Sequence, residues 1–495
     1  MTRNVMLAIL PAVWIATVVG IAGLPLPAFA QSTTIPDASK DQQIIELRRE
    51  IKQLEQRVDT LEGLGHKVQV IDRKLDAQAQ TEQAQIASDQ AKAKSAPIIT
   101  AGSQGFSIAS SNNDWQFGLH GIIQSDARFF ANGTDQTPST FYLNRARPIL
   151  MATFDKYYDF NVTPDFGQGK VVLQDAYIGA NNLPWAQFRI GKFKAPFGLE
   201  RMQVDTYVLF SERAETNNLV PNRDYGPEVR GAFFDGRLSY QLAIMNGVPN
   251  NTASVESDVN DGKDFLGRVF AEPFRKSEYS WARGLGLGFA ATYGNESGST
   301  TSVYKTYGQV EWFGYTKGVT AAGRRYRLSP QGYYYWGPFG VLAEYASDTH
   351  NLNRFTTVTK GAVTKTVNDY ASFTDDGYSV EAMYALTGES ESYNGLTPLR
   401  NFAPESGGWG AWELAARVSN VATDSRQFKL GFADPAASAK EATEAAVGLA
   451  WYPTQNLKWQ YDYANTFFNG GGGTTAAPKD RPNESVFETQ VQLAF

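Results

Sequence analysis

The spacing of apolar residues changes once along the chain, near residue 115. Between about residues 42 and 95, apolar side chains recur at alternating intervals of four and three, which is the spacing of a coiled-coil seam. The seam consists of Leu47, Ile51, Leu54, Val58 and Leu61. Val68 and Leu75 continue it at intervals of seven. This pattern predicts a helix that oligomerises as a coiled coil. The alternative is a single amphipathic helix that lies on the rest of the protein.

Glycines and a proline bear on the extent of this helix. Gly63 and Gly65 are expected to weaken it, because glycine lowers helix stability. Pro97 is expected to end it, because proline has no backbone N–H to donate. The helical segment is therefore predicted over residues 42–95.

From Trp115 to Phe495 the apolar period is two, which is typical of β-strands. Clear examples of alternation lie in residues 238–244, 285–289, 412–418 and 457–463. A soluble sandwich would turn the apolar face inward, whereas a membrane barrel turns it outward to lipid and encloses a polar lumen. Both architectures fit the alternation alone.

The last segment favours the barrel. Phe487, Val491 and Leu493 share one face with Phe495, and Glu488 lies on the other. A strand that ends on phenylalanine is typical of bacterial outer-membrane barrels, and a closed barrel pairs every backbone group, as lipid requires. About 380 residues remain for the barrel, and at roughly ten residues a strand plus connections they give a strand number in the mid-teens. Residues 115–495 are thus predicted to form an antiparallel transmembrane β-barrel.

Four polar stretches are expected to form external loops of this barrel. They are residues 250–264, 351–376, 389–408 and 469–484.

The first thirty residues have the features of a secretory signal. Arg3 precedes a mostly apolar run, and Ala28-Phe29-Ala30 before Gln31 fits a cleavage site. A membrane-anchoring helix is the alternative reading of the same run. No further long apolar segment follows, so no transmembrane helix is expected beyond it.

Composition limits the chemistry of the chain. It has no cysteine and three histidines, and its formal net charge is -6. Cysteine-based metal or redox sites are therefore excluded, and three scattered histidines do not suggest a metal centre. In the barrel region His120 and His350 lack a serine-centred motif, so catalysis is not expected. No cofactor and no nucleic-acid partner is predicted.

Several segments of the barrel region resemble the phosphate-selective porin family, which includes porins O and P. They are, in order, "GIIQSD", "NRARP", "LQDAYIG", "RIGKFKAPFGLER", "FSERA", "ALTGESESYNG", "GAWELAARVSN" and "VGLAWYP". The resemblance implies a barrel of about sixteen strands, a homotrimer and passive uptake of small anions such as phosphate. It also implies a place in the outer membrane. The coiled coil ahead of the barrel would then be periplasmic.

Three arginines in "GRRYRLSP" are the first pore candidates. Arg324, Arg325 and Arg327 concentrate positive charge in an acidic chain, and Arg325 and Arg327 share a face if the segment is a strand. The arginine fork suits oxyanions, and the corresponding region of porin P implies an arginine ladder that leads to the constriction. Ser329-Pro330 is expected to end this strand. The alternative is a basic loop that binds lipopolysaccharide phosphates or forms surface ion pairs.

Four further pore residues follow from the resemblance. Arg145 and Arg147 lie in "NRARP", Asp175 matches a pore-facing aspartate, and Arg201 stands where porin P has an eyelet lysine. Asn144 replaces one arginine of a pair in the family's well-known members, which puts phosphate selectivity in question and leaves a general anion or small-solute pore intact.

Two lysines remain open to either interpretation. Simple alternation places Lys192 and Lys194 with lipid-facing residues, where they would snorkel to the interface. A β-bulge would bring them to the pore instead.

The sequence as a whole predicts an outer-membrane porin for phosphate-like anions, in contact with lipid and lipopolysaccharide. An alternative is a structural envelope protein that the coiled coil tethers to the cell wall or to a periplasmic partner, with transport secondary.

Overall fold

A computed structural model describes residues 37–131, 138–253, 258, 260–298, 302–360 and 363–495. The predicted signal segment, residues 1–30, lies outside the described residues. The chain divides into two compact units, residues 1–92 and 93–495.

The described part of the first unit is helical and belongs to α1 (Asp37–Ser95), whose last three residues fall in the second unit. The helix ends two residues before Pro97, as predicted, but it continues through Gly63 and Gly65 without a break. The predicted seam from Leu47 to Leu61 is 50–64% exposed. Within the described ranges, no helix is long and apolar enough to cross a membrane.

The second unit is built from strands joined by turns and short helices. The described strands are β1 (Ile98–Gly102), β2 (Gly105–Ala109), β3 (Gln116–Phe130), β4 (Thr140–Phe154), β5 (Tyr158–Asp165), β6 (Val172–Leu183), β7 (Ala186–Lys194), β8 (Arg223–Phe233), β9 (Leu238–Met245), β10 (Asp264–Ala271), β11 (Leu285–Gly298), β12 (Tyr304–Lys305), β13 (Glu311–Phe313), β14 (Val319–Trp336), β15 (Phe339–Lys360), β16 (Val363–Ala385), β17 (Ala411–Ala422), β18 (Ala439–Thr454), β19 (Leu457–Thr474), β20 (Ala477–Asp480) and β21 (Glu484–Ala494). The α-helices are α2 (Leu199–Met202) and α3 (Arg426–Lys429), and single 3₁₀ turns cover Gly167–Gly169, Glu215–Leu219, Ser280–Ala282 and Pro404–Ser406.

Sixteen of these strands close into an antiparallel barrel: β3–β11, β14–β19 and β21. The closing pair is β21 with β3. At its end Gly121 and Phe495 exchange two backbone hydrogen bonds of 2.9 and 3.0 Å. A side chain at Gly121 would lie 2.6 Å from the Phe495 ring, so only glycine leaves room for it. The predicted antiparallel barrel of about sixteen strands is confirmed.

The two faces of the wall differ as the alternation predicts. On β21, Phe487, Val491 and Leu493 are 39–42% exposed, while Glu488 and Gln492 are buried in the interior. Large exposed aromatic side chains mark the turns at one end of the barrel: Tyr157, Trp185, Phe234, Tyr279, Trp281, Trp336 and Trp409. Such a ring is typical of barrels that cross an outer membrane.

Three of the loop predictions and the predicted end of β14 need correction. Residues 469–484 lie mostly in strands, because β19 continues to Thr474 and pairs there with β20. Residues 351–376 lie almost entirely in β15 and β16, so these two strands form a long hairpin. Residues 389–408 connect β16 to β17 at the end of the barrel that carries the short turns, not among the long loops. β14 runs unbroken past Ser329 and Pro330, because Pro330 faces outward at a position where the strand continues to pair.

The connection between β7 and β8, residues 195–222, is folded across the inside of the barrel. We call it the crossing loop. Its backbone meets the interior side chains of β3, β15, β17, β19 and β21, through contacts that begin at Leu199 and end at Glu215. A loop held across a barrel narrows the passage at its own level.

Two other segments contact the crossing loop, one from each end of the barrel. At the end that carries the long connections, Trp312 in the β11–β14 connection donates to Glu215 at 3.2 Å. From the short-turn end, Tyr393 donates its hydroxyl to the Leu199 carbonyl at 2.6 Å. Three segments therefore form the narrow part of the passage: the β11–β14 connection, the crossing loop and the β16–β17 connection.

Candidate functional site

One carboxylate of the crossing loop gathers four cationic side chains. Asp205 is ion-paired with Lys194 at 3.2 Å, Arg213 at 2.5 Å, Arg223 at 3.9 Å and also Arg147. These five residues, the Asp205 cluster, join β4, β7, the crossing loop and β8. Sequence reasoning had singled out Arg147 but not Asp205 or Arg213.

Two more aspartates complete the pairing. Arg147 also contacts Asp165 at 2.6 Å, and Arg223 contacts Asp175 at 3.1 Å. The chain of pairs therefore has four cations and three carboxylates, and it carries a surplus of positive charge. Asp175, a predicted pore residue, lies here as a partner of Arg223.

The ionisation of Asp205 follows from these partners. Burial by itself would raise the pKa of Asp205, but Lys194, Arg147 and Arg213 hold that pKa well below its usual range. The carboxylate is therefore charged under all ordinary conditions and fixes the crossing loop to the basic wall.

Arg145 faces the interior because β4 contains a register shift. Strict alternation would place it outward with Phe141 and Leu143, which are exposed. Gln124, however, lies opposite Arg145 while Ser125 lies opposite Leu143, so Asn144 is the extra residue of a β-bulge. Arg145 donates to Gln124 at 2.5 Å and, within the described chain, has no carboxylate within 4 Å.

Arg201 is a second cation without a carboxylate partner within 4 Å in the described chain. Its guanidinium is buried and donates to Asn251 at 2.7 Å, and its Nε has no hydrogen-bond partner there. Burial, and after it the neighbouring Arg213, lowers the pKa of Arg201 to about 9. Burial is the larger of these two causes, so the lowered pKa mainly records how far the Arg201 guanidinium is removed from water.

Lys194 reaches the same site because the backbone turns at Gly191. Gly191 has φ +137°, and a Cβ there would lie 2.1 Å from the Ala176 carbonyl oxygen. Beyond it the alternation of β7 ends, and Lys194 donates to the Gln203 carbonyl at 2.7 Å as well as to Asp205. Lys192 is likewise buried and does not reach lipid.

Arg325 and Arg327 share the interior face of β14, but they lie in a different cluster. Arg325 pairs with Asp348 and Glu296, each at 2.9 Å, and Arg327 pairs with Asp264 at 3.2 Å. Arg327 also donates to the Val248 carbonyl at 2.7 Å. Carboxylates thus neutralise both arginines, which hold the β9–β10 connection to the wall.

Arg324 lies on the opposite face of β14. It is exposed, and so are Tyr326 and Leu328 on the same side. The structure therefore does not bring Arg324 into the interior with Arg325 and Arg327. Of the seven predicted site residues, it brings together Arg145, Arg147, Asp175 and Arg201 around the crossing loop.

The wall that faces the basic side of the crossing loop is acidic. β15–β19 and β21 carry buried interior carboxylates: Glu344, Asp348, Asp375, Glu381, Glu413, Glu444, Asp462, Glu484 and Glu488. Arg417 lies among them, 2.8 Å from Glu444 and 3.4 Å from Glu381. None of the described residues forms a group of three or more ligands that could hold a metal ion.

Lys194 and Arg213 were present in two segments already noted, "KFKAPFGLER" and "FSERA". Only these motifs could have pointed to the two residues, because the alternation of apolar and polar positions placed Lys194 on the outward face. Asp205 and Arg223 carried no signal in the sequence, because their role depends on where the crossing loop folds.

A closed sixteen-stranded barrel with an apolar outer face, an aromatic ring at one end and a charged interior crossed by a loop defines an outer-membrane channel. The chain belongs to the family "phosphate-selective porin O and P", whose model matches residues 117–495. No curated protein matches the sequence.

Among solved structures, the chain is similar to several outer-membrane proteins. OmpT of Vibrio cholerae is 11% identical, with 77% of this chain and 98% of that chain covered and a TM-score of 0.45. The channel DcaP of Acinetobacter baumannii is 10% identical, with coverage of 77% and 97% and a TM-score of 0.45. OmpF of Salmonella typhi, solved with daunomycin, is 13% identical, with coverage of 78% and 99% and a TM-score of 0.44.

Proposed function

We propose that this channel passes small anions, phosphate or related oxyanions among them, by passive diffusion. The observation that carries the proposal is the surplus of cations at the crossing loop. The Asp205 cluster holds more cations than its three aspartates neutralise, and Arg145 and Arg201 add two cations without carboxylate partners in the described chain. In a narrow, low-dielectric passage such a surplus concentrates anions.

This path keeps part of the site that the sequence predicted and leaves out its first candidates. The anion path runs along Arg145, Arg147 and Arg201 rather than along Arg324, Arg325 and Arg327. Arg147 belongs to the chain of pairs that has four cations and three carboxylates, and it contributes to the field of that chain. Arg145 and Arg201 have no carboxylate partner within 4 Å in the described chain and would hydrogen-bond a passing oxyanion. The aspartates neutralise part of the positive charge, so an anion binds weakly enough to leave the site again.

A reversal potential of the purified protein in a planar bilayer, under a KCl gradient, tests the proposal. We expect a potential on the chloride side and block of the current by phosphate. Arg145→Gln and Arg201→Gln are expected to shift the potential toward zero and to weaken the block about tenfold each, as loss of a charge-assisted hydrogen bond of about 1.5 kcal/mol predicts. A potential on the cation side would overturn the proposal.

A second candidate function has an observation in its favour. The acidic wall formed by β15–β19 and β21 would attract cations and dipolar solutes. A chloride-side potential without phosphate block would favour a general anion pore, and a potential near zero would favour a general small-solute porin. In either case Arg201→Gln would leave phosphate sensitivity unchanged.

We also propose that α1 is a periplasmic coiled coil that joins three copies of the chain. Its apolar seam is half-exposed along the helix, as expected for a helix whose partners are other copies. Deletion of residues 42–95 is expected to remove trimers and to retain conductance. Loss of envelope attachment with unchanged conductance and trimer content would favour the tether to the cell wall instead.

A further inference from the structure

Two interior arginines outside the Asp205 cluster also lack a carboxylate within 4 Å in the described chain. They are Arg230 on β8 and Arg268 on β10. Arg230 lies opposite Gln241, and Gln241 lies opposite Arg268, so the three residues form one row across three neighbouring strands. Strand spacing places the two arginine backbones about 10 Å apart. By contrast, other interior arginines are ion-paired: Arg128 on β3, Arg189 on β7 and Arg417 on β17.

Neutral amides hold Arg268 in place. Its Nε and Nη2 donate to Gln331 at 3.2 and 3.1 Å, and its Nη1 donates to Gln241 at 3.3 Å. The amide of Gln241 is fixed in turn by Glu228 at 2.8 Å. A guanidinium has five N–H donors, so two remain free in an oriented side chain. Arg230 also keeps a buried Nε without a partner in the described structure.

Aromatic rings flank Arg268 on the side of the short turns. Its guanidinium carbon lies 4.9 Å from the Phe270 ring, and Phe270 lies 5.1 Å from Tyr333. Tyr333 continues the group to Tyr393 at 5.3 Å and to Tyr335 at 5.1 Å. The Tyr335 hydroxyl is buried without a hydrogen-bond partner in the described structure, which is costly unless a ligand supplies one.

Tyr393 connects this row with the crossing loop. Its hydroxyl donates to the Leu199 carbonyl at 2.6 Å, and its ring lies 5.3 Å from that of Tyr333. The aromatic group beside Arg268 is therefore in contact with the crossing loop.

We infer that Arg230 and Arg268 form a second anion subsite, which prefers a carboxylate attached to an aromatic ring over a compact anion. The free N–H groups of Arg268 would take the carboxylate in a bidentate pair, and the rings around Tyr333 would contact the aromatic body. The inference rests on the proposed anion channel and names a class of solute for it.

Block of chloride current through the purified full-length protein in a planar bilayer tests the inference. Benzoate, acetate and inorganic phosphate are added in turn, and the concentration that halves the current is measured. Benzoate is expected to act at about one tenth of the acetate concentration. Arg268→Gln is expected to abolish this difference, while phosphate block, which the proposed function assigns to Arg145 and Arg201, is expected to persist.

Three further variants distinguish the contribution of the guanidinium from that of the aromatic ring and control for an effect on folding. Arg268→Lys keeps the charge without the fork and is expected to lose the benzoate preference. Tyr333→Leu is expected to lower benzoate block and to spare acetate block. Tyr334→Leu, on the outward face where its hydroxyl contacts the Trp281 carbonyl, is the matched control and is expected to behave as the natural protein.

The outcomes distinguish this inference from the proposed function. An anion-selective channel on which benzoate and acetate act equally would overturn the subsite alone. Persistence of the benzoate preference in Arg268→Gln would do the same. A cation-selective natural channel would overturn the anion channel, and the subsite with it.

Discussion

Glu344 on β15 accepts a hydrogen bond from the backbone N–H of Leu199 at 2.8 Å, and so joins the far wall to the start of the crossing loop. Its second oxygen accepts from Ser329 at 3.1 Å. One interior carboxylate thus fixes the loop at the point where it leaves β7.

Removal of this acceptor should loosen the constriction. We expect Glu344→Leu to raise single-channel conductance and to bring the reversal potential nearer to zero, because the loop loses a fixed point on the acidic wall. Glu344→Gln keeps an acceptor oxygen and should retain most of the natural behaviour. Tyr345→Leu, the neighbouring outward residue, is the control. Equal conductance in Glu344→Leu and the natural protein would contradict the prediction.

The arginines of β14 should matter for stability rather than selectivity. Breaking a buried ion pair costs about 3–5 kcal/mol, so Arg325→Gln is expected to lower the free energy of unfolding in urea by an amount of this order. Its reversal potential should stay close to that of the natural channel, since Arg325 lies in the cluster that holds the β9–β10 connection and outside the anion path proposed at the crossing loop. Arg324→Gln, on the outward face, should change neither quantity. A shifted reversal potential for Arg325→Gln would return this residue to the anion path.

Acid should protonate Asp205 only at a pH below the usual pKa range of aspartate. A carboxylate whose pKa is lowered in the folded state contributes stability above its unfolded pKa, near 3.9, and loses it as pH falls through the folded pKa. The pKa of Asp205 lies well below its usual range. The contribution of Asp205 to selectivity should therefore be constant from pH 7 to about pH 4 and change only in stronger acid. Asp205→Asn should show altered selectivity at every pH. The prediction would be wrong if selectivity changed with a midpoint near pH 4 and Asp205→Asn removed that change. The neighbouring cations would then not be lowering the pKa of Asp205.

The bend of β7 should depend on glycine at residue 191. A methyl group there would meet the Ala176 carbonyl at 2.1 Å, and the positive φ disfavours a side chain in any case. Gly191→Ala is expected to reduce the yield of folded barrel, measured by heat-modifiable mobility on gels. Gly267→Ala is the matched control, because its nearest contact would be an ordinary 3.6 Å from Leu242. Equal yields of the two variants would refute the role of the bend.

The seam of α1 should control assembly. Leu54→Asp places a charge on the half-exposed apolar stripe and is expected to reduce trimers, measured by light scattering, at unchanged conductance per barrel. Gln53→Asp adds the same charge beside the seam and should leave assembly intact. If the Leu54→Asp variant still formed trimers, contacts between the barrels and not the helix would account for assembly.

Local alternation predicted the wall of this protein well. Phe487 and Val491 face outward and Glu488 faces inward, as the period of two requires. The same rule failed where one residue breaks the period. The bulge at Asn144 turns Arg145 inward, and the bend at Gly191 does so for Lys194. Neither break is visible in a pattern of apolar and polar residues.

Contacts between distant segments were beyond the sequence. Arg325 looked like a free pore cation because its partners, Glu296 and Asp348, lie on other strands. Residues 351–376 looked like a loop because they are polar, but strands that project past the apolar band need no lipid-facing side chains. The crossing loop could be predicted only as a connection, and its fold decides which charges meet.

The crossing loop also has a mechanical consequence. A sheet closed on itself resists shear through its hydrogen bonds but can flatten toward an ellipse when the surrounding bilayer presses on it. Here a strut runs from β7 and β8 to β15, β17, β19 and β21, with ion pairs at one end and Glu344 among its fixed points at the other. The cross-section is braced from within, so the bore should be insensitive to the thickness and lateral pressure of the membrane around it.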